Sequence, residues 1–311
     1  MSAILTSVIL CTRNRPEDVE HFLRSLIKQT CPPNEIIVVD SSDNRLDSDP
    51  KFNLIFDNKN FPATKLIYKH SQPGLTLQRN IGISLTHAEV IYFFDDDTVL
   101  SPDYISKMND VFINHPEYGG GMGCVTNLEP KKTGLGRIFR QIFLLQRDYA
   151  SGKFTSSGMP THTYGLTKFR DIQVLGGCCM AYRSYVFFKN RFDEKLRFYG
   201  AMEDCDFSKR VSQGCKLFYN PDAKLQHLQS PINRDKIEDL SKMYIKNYSY
   251  LFFKNFYPEN RLRIFAYYWS ILGLILEAKI LKQQDRLNGY RKGFKEVFKN
   301  SLNKKSYKVV E

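Results

Sequence analysis

Residues 90–94, Val-Ile-Tyr-Phe-Phe, run without a break into Asp95, Asp96 and Asp97. An apolar run of this length, rich in aromatic and β-branched side chains, reads as a strand buried on both faces. It cannot continue past Asp95 without burying charge, so the three acids fall at its carboxyl end. Adjacent carboxylates repel one another unless a cation, solvent or a positive partner offsets them. In extended backbone Asp95 and Asp97 point to one side and Asp96 to the other. Two oxygens on one side suit a hard divalent cation, or a metal and a ribose. From the triplet alone, a solvated acidic turn closing the strand is an equally good reading.

The segments before the triplet set it in a sheet. Residues 5–11 form a short apolar run that stops at Thr12-Arg13-Asn14-Arg15-Pro16. Pro16 suits a first helical position, and Glu17 and Asp18 suit the positive end of a helix dipole. Val19, Phe22, Leu23, Leu26 and Ile27 then recur at helical spacing. Residues 35–39 make a second strand, ended by Asp40, which completes a strand–helix–strand unit of a parallel sheet. Residues 47–64 are polar and read as a loop. Residues 66–70 make a third strand ending at His70, and a helix with Leu77, Ile81 and Leu85 at four-residue spacing feeds the aspartate strand. Thr12, Asp40, His70 and the triplet therefore all occupy carboxyl ends of parallel strands. Ligands of open α/β sheets bind in the crevice outside those ends.

Further along, residues 119–127 read as a strand. Residues 131–164 are rich in glycine and serine between basic and aromatic residues, and read as a lid or acceptor-binding loop around a short helix at 138–145. Residues 172–183 are apolar with a Gly176-Gly177 kink that permits close approach by a ligand or another backbone. Glu203 and Asp204 fall in the first turn of a helix. There Phe207 and Val211 face inward, and Asp206 can pair with Arg210. Acids at that place are also ordinary helix-dipole charge. A short strand at 216–219 precedes His227, and a lone histidine is more often structural than a ligand. Residues 264–276 are mostly apolar, flanked by Arg261, Arg263 and Lys279. They are too few to span a bilayer, so this helix either packs on the domain or lies in a membrane interface.

Charge and cysteine usage narrow the setting. The net charge of +12 is weighted towards the residues after Arg261, which points to an anionic membrane surface, nucleic acid or phosphorylated substrates. No nucleic-acid-binding motif accompanies it, so nucleic acid is not expected as a partner. Seven cysteines, an odd number without metal-finger spacing, suit reduced buried thiols. Residues 1–10 carry no basic leader region, so a cytoplasmic protein is expected.

Together these pieces resemble the family 2 glycosyltransferases of GT-A fold. The resemblance rests on Ser-Val-Ile-Leu-Cys-Thr-Arg-Asn-Arg-Pro, Glu-Ile-Ile-Val-Val-Asp-Ser-Ser, Gly-Leu-Thr-Leu-Gln-Arg-Asn-Ile-Gly, the aspartate triplet, Gly-Gly-Cys-Cys-Met-Ala-Tyr-Arg, Glu-Asp-Cys-Asp-Phe and His227, in that order. It covers residues 5–230, and the chain beyond lies outside it. It implies a mostly parallel α/β sheet flanked by helices over residues 1–230, split into a nucleotide-sugar half (1–127) and an acceptor-side half (128–230). Residues 231–311 then form a basic, aromatic-rich helical extension.

The resemblance also implies roles. Thr12, Arg15 and Asp40 would form the nucleotide-base pocket, and Arg79 would lie near the base or diphosphate. Asp95 and Asp96 would hold ribose and the loop. Asp97 and His227, with Asp95 as a further candidate, would bind Mn²⁺ or Mg²⁺. Asp204 beside Glu203 would be the base, with Asp206 in reserve, and Gly177, Cys178, Cys179 and Met180 would line the acceptor side. Cys178, Cys179 and Cys205 depart from the usual residues of the family's segments, which leaves the acceptor open.

The implied reaction is inverting, metal-dependent sugar transfer from a UDP- or dTDP-sugar to a glycan or lipid-linked acceptor in cell-surface polysaccharide biosynthesis. It would take place in the cytoplasm or peripherally on the membrane's cytoplasmic face. The alternative is a catalytically silent sugar-nucleotide-binding or scaffold protein on the same fold.

Overall fold

The computed structural model describes residues 4–55, 59–128, 134–148, 151–196, 200–230 and 236–302. Its first half alternates β1 (Thr6–Thr12), α1 (Pro16–Ile27), β2 (Glu35–Asp40), α2 (Pro50–Ile55), β3 (Lys65–His70), α3 (Leu75–Leu85) and β4 (Val90–Asp95). A short β5 (Thr98–Leu100), α4 (Tyr104–Asn114) and β6 (Tyr118–Val125) follow. Then come α5 (Gly134–Ile142), β7 (Arg170–Ile172), β8 (Cys179–Arg183), α6 (Glu203–Val211) and β9 (Lys216–His227). Three helices end the chain: α7 (Ile237–Leu251), α8 (Arg263–Ile280) and α9 (Gln284–Leu302), with a π-helical turn at Phe252–Phe256 after α7.

Among the described residues nine strands form one sheet, in the order β3-β2-β1-β4-β8-β6-β9-β5 with β7 against β9. β1, β2, β3 and β4 are mutually parallel, in a register that aligns Thr12 with Asp40 and Asp40 with His70. The chain is an α/β protein whose polar strand ends lie along one edge of the sheet.

Several expectations shift in the structure. Residues 47–64 are not all loop: a 3₁₀ turn at Leu46–Ser48 and α2 lie there. The helix in the 131–164 segment is Gly134–Ile142, starting and ending earlier than 138–145. The apolar stretch 172–183 with its glycine kink divides between two strands, β7 ending at Ile172 and β8 beginning at Cys179. The loop between them carries Gly176 and Gly177. In α3 the inward side chains are Thr76, Gln78, Arg79 and Ile83, whereas Leu77, Ile81 and Leu85 are half-buried. Ile81 and Leu85 still pack against the core, but the helix's inner face meets polar strand ends as well.

The largest change is β9. It does not stop at Tyr219 but continues to His227, through an irregularity that shifts its pairing from Met122↔Tyr219 to Cys124↔Lys224. Asn220-Pro221-Asp222 fills the gap. Proline has no ladder donor, and bulges accommodate it. Beyond the bulge β9 pairs with β5, setting His227 opposite Thr98.

Among the described residues two apolar clusters hold the molecule. One fills both faces of the sheet around Val8, Ile37, Phe93, Met108 and Phe218. The other joins Leu145, Phe154, Met159 and Val174 to Tyr248, Phe252, Tyr267 and Ile271 of the C-terminal helices. Leu145, Phe154, Met159 and Val174 thus rest on those helices.

α9 approaches α7 closely at two glycines one turn apart. A Cβ on Gly289 would lie 2.3 Å from the Glu238 carbonyl and 2.7 Å from Ser241 Cβ, and backbone cannot yield as a side chain can. Gly289→Ala is therefore expected to cost about 1–3 kcal/mol by overpacking, seen as a lower melting temperature with the strand core unchanged by circular dichroism. An unchanged melt would mean that α9 is not seated this way.

Candidate active site

The ends of β1, β2 and β4 meet at one cavity of ≈ 1010 Å³. Why the triplet divides is visible at its two neighbours. Asp96 turns towards β1, where Thr12 Oγ1 donates to it at 2.7 Å and Arg15 Nη1 at 3.0 Å. Burial pushes the Asp96 carboxyl up to about 7, against the pull of Thr12 and Arg15. Asp95 and Asp97 turn the other way and meet His227. Its Nε2 lies 3.0 Å from Asp97 Oδ1 and 4.0 Å from Asp95 Oδ2.

Asp97 is tied further by the Ser230 N–H, 2.9 Å from Oδ2, and by the Leu228 N–H on its carbonyl. Burial alone would raise its pKa, but His227, the Ser230 N–H and the nearby Arg15 hold the carboxyl below the usual carboxylate range. Burial also disfavours a charged His227, yet Asp97, Cys178 and Asp95 outweigh it and push the imidazole up to about 11.

Two carboxylates and one imidazole place ligand atoms within 4.8 Å of one another. Oxygen donors with one nitrogen suit Mn²⁺ or Mg²⁺, and the carboxylate-rich set favours a hard ion over a thiophilic one. The residues present fit such an ion.

Facing the triad is the start of α6. Asp204 accepts from the Gly177 N–H at 2.9 Å and from the Cys205 N–H at 2.7 Å. It is partly exposed and lines the cavity, as do Glu203, Gly177 and Cys178. Gly177 comes close to these acids: a Cβ there would lie 3.1 Å from Glu203 Oε1 and 3.5 Å from Asp204 Cβ. Arg79 is buried behind them. It bonds Glu203 through Nη1 and the Gly177 carbonyl through Nη2 at 3.1 Å, and lies 3.6 Å from Asp95. Burial works against its charge, but Glu203 and Asp95 keep it cationic. This one guanidinium therefore links α3, α6 and the triplet.

Five of the expected residues lie off the cavity, and the first is Arg79, expected near the base or diphosphate but buried behind the wall. Asp40 is fully buried and its carboxylate is spent on Ser42 N–H, Leu46 N–H and Tyr68 O–H. It shapes the turn after β2, and Ser41 and Asp43 reach the cavity in its place. Asp206, the reserve base, is also fully buried, held by Arg210, Lys254 and Asn255, so no acceptor can reach it. Cys179 and Met180 are buried within β8 and do not line the cavity.

Other lining residues were given no role from the sequence. Gln78 spans the Thr12 and Val39 carbonyls at 3.0 and 2.8 Å and pins the ends of β1 and β2 together. Asn14, at φ 55°, exchanges hydrogen bonds with Asp43 and Ser42. From beyond residue 230, α7 supplies Asp239, Lys242, Met243, Lys246 and Asn247 to one wall. Asn247 donates to the Ala201 carbonyl at 2.9 Å, just ahead of α6.

The family model described as Glycosyl transferase family 2 matches residues 7–189, more than half of the chain. The chain belongs to glycosyltransferase family 2. It is 28% identical over 147 residues to a protein of Haemophilus influenzae named "Uncharacterized glycosyltransferase", covering 43% of this chain and 48% of that one. It is also 28% identical over 114 residues to the glucosyl-dolichyl phosphate glucuronosyltransferase of Haloferax volcanii, covering 36% and 35%. The matches thus span about half or less of those curated relatives.

Solved glycosyltransferases share the GT-A fold with this family 2 chain. The structure of S. aureus TarS 1–349 in complex with UDP superposes with a TM-score of 0.52 at 16% identity, covering 80% of this chain and 65% of that one. GalNAc-T7 with UDP, GalNAc and Mn²⁺ gives 0.56 at 16% identity, covering 80% and 48%.

Proposed function

We propose that this family 2 glycosyltransferase moves a sugar from a UDP- or dTDP-sugar to a hydroxyl of a glycan or lipid-linked acceptor in cell-surface polysaccharide biosynthesis. The reaction is assigned to the cytoplasmic face of the membrane and inverts the anomeric centre. The observation that carries this reading is the Asp95–Asp97–His227 triad facing Glu203–Asp204 across one cavity at the carboxyl ends of parallel strands. Neighbours solved with UDP, one of them also with Mn²⁺, support the donor class.

The residues divide the work. Asp97 and His227, with Asp95, would hold Mn²⁺ or Mg²⁺, which when bound offsets the charge of the departing diphosphate. Thr12 and Arg15 anchor Asp96 and with it the loop that presents the donor. Asp204 takes the proton of the attacking acceptor hydroxyl. One base and direct attack from the face opposite the diphosphate give inversion. The Gly177 and Cys205 N–H bonds fix the Asp204 carboxylate for that role, and Gly177 and Cys178 border the acceptor's approach.

A thermal-shift panel of nucleotide-sugars with and without Mn²⁺ tests the reading. Saturating donor at a hundred times its Kd adds about 2.7 kcal/mol of stability. A rise of a few degrees is expected for one UDP- or dTDP-sugar, only with metal. If no nucleotide-sugar shifts the melt in either condition, the reading fails. A metal-dependent shift without turnover on any acceptor would instead indicate a silent sugar-nucleotide-binding protein.

A further inference from the structure

The second half of the molecule leaves two apolar helix stripes uncovered side by side. On α5, Leu135, Ile138 and Ile142 are 85%, 52% and 58% exposed, spaced to lie along one face. On and just before α8, Leu262 and Phe265 are 71% and 73% exposed, and Tyr268, Trp269 and Leu272 continue the stripe. The two helices are locked together. Phe143, just past α5, stacks on Trp269 with ring centroids 4.8 Å apart, and Trp269 Nε1 donates to the Ile142 carbonyl at 2.7 Å. Arg140 of α5 pairs with Glu277 of α8 at 2.6 Å. The stripes therefore form one surface, with Ile142 beside Trp269.

We propose that this α5–α8 surface docks on an anionic lipid bilayer. Single exposed hydrophobes are ordinary, but a contiguous patch of this kind marks an interaction site. Its chemistry selects the partner. The only acid on either helix is Glu277, which is paired with Arg140. Arg261, Lys279 and Lys282 flank the stripe in exposed positions, within a chain of net charge +12. A second copy would bring two basic rims together, whereas anionic headgroups complement them. Tyr268 and Trp269 are the side chains that favour the headgroup level. No described helix is long and apolar enough to cross a membrane, so contact is in the plane, as for amphipathic interfacial helices.

The placement has a consequence for the acceptor. α5 belongs to the segment that continues through Tyr164, which lines the catalytic cavity. Tyr248 of α7 bonds the Ser157 carbonyl of that segment and Ser270 of α8. Docking thus lays the acceptor-side segment against the bilayer and favours a lipid-linked acceptor. That last step rests on the function proposed above; the docking itself does not.

Trp269 is the chain's single tryptophan, so its emission reports the surface directly. Vesicles of phosphatidylglycerol and phosphatidylcholine should shift that emission to the blue and co-sediment the protein. Added salt should weaken this, and vesicles of phosphatidylcholine alone should bind far less. Leu135→Glu with Phe265→Glu should lower partitioning about tenfold or more with an unchanged melt, since both side chains are already largely in solvent. Phe188→Glu, at an 86% exposed position outside the surface, should bind as the parent does. The proposal is overturned if the parent neither shifts nor sediments at low salt. It is equally overturned if light scattering finds a lipid-free dimer that the double variant dissolves. Metal-dependent UDP binding measured on the same variants separates this outcome from failure of the donor reading.

Discussion

Asp97→Ala should abolish metal-dependent donor binding and lower transfer ~10³-fold or more, since metal stabilisation of a leaving group supplies several kcal/mol. Asp97 is the one triplet acid that both faces His227 and is fixed by backbone from the far side, through the Ser230 N–H. Calorimetry with Mn²⁺ and UDP reads the binding, and turnover reads the transfer. Asp97→Asn keeps the shape and one acceptor for Ser230 while removing the charge, so it separates ligation from folding. It should match the alanine variant in activity and, having lost the charge that pairs with His227, melt below the parent while still unfolding cooperatively. Full activity in either variant would remove the metal site from the mechanism.

The second large effect is expected at the base. Asp204→Asn should lower kcat about 10²–10⁴-fold, the usual worth of a positioned general base, and leave donor affinity unchanged. The substitution keeps one oxygen for the backbone donors but sets an amide against the other, so a loss of about 1 kcal/mol of stability should accompany it. The informative result is the split: kcat falls while the Kd for UDP with Mn²⁺ stays level. A parallel loss of UDP binding would place Asp204 in donor recognition instead. Activity equal to the parent's would move the base elsewhere, and Asp206 is no substitute because its oxygens are bonded inside the fold.

The strand ends were legible from sequence because burial on both faces leaves continuous apolar runs, and such runs must stop where charge begins. That logic located Thr12, the triplet and the parallel sheet. It could not tell Asp40 from the others. A buried carboxylate closing a turn on Ser42, Leu46 and Tyr68 has the same sequence signature as one facing a ligand.

His227 was legible only through resemblance. The strand carrying it is interrupted by Asn220-Pro221-Asp222, which reads as an ending, and the pairing with β5 that aligns His227 is a long-range matter. Arg79 was on the wrong side of a pattern. Helical spacing assigns the inner face to leucines, but α3 turns a guanidinium inward because Glu203, Gly177 and Asp95 wait there. The wall built by α7 had no local mark, since Lys242, Lys246 and Asn247 on an amphipathic helix look like any solvated side.

The bulged course of β9 also bears on how the enzyme comes into being. Ser230 reaches Asp97 across 133 residues of chain, and β9 must join the sheet between β6 and β5 to bring it there. Closing so long a loop carries an entropic cost that local helices and the first parallel strands do not meet. A growing chain can therefore assemble the β1–β4 layer well before its last strand is inserted. Until then the aspartates have no histidine beside them, and β5, β6 and β7 lack the strand they pair with.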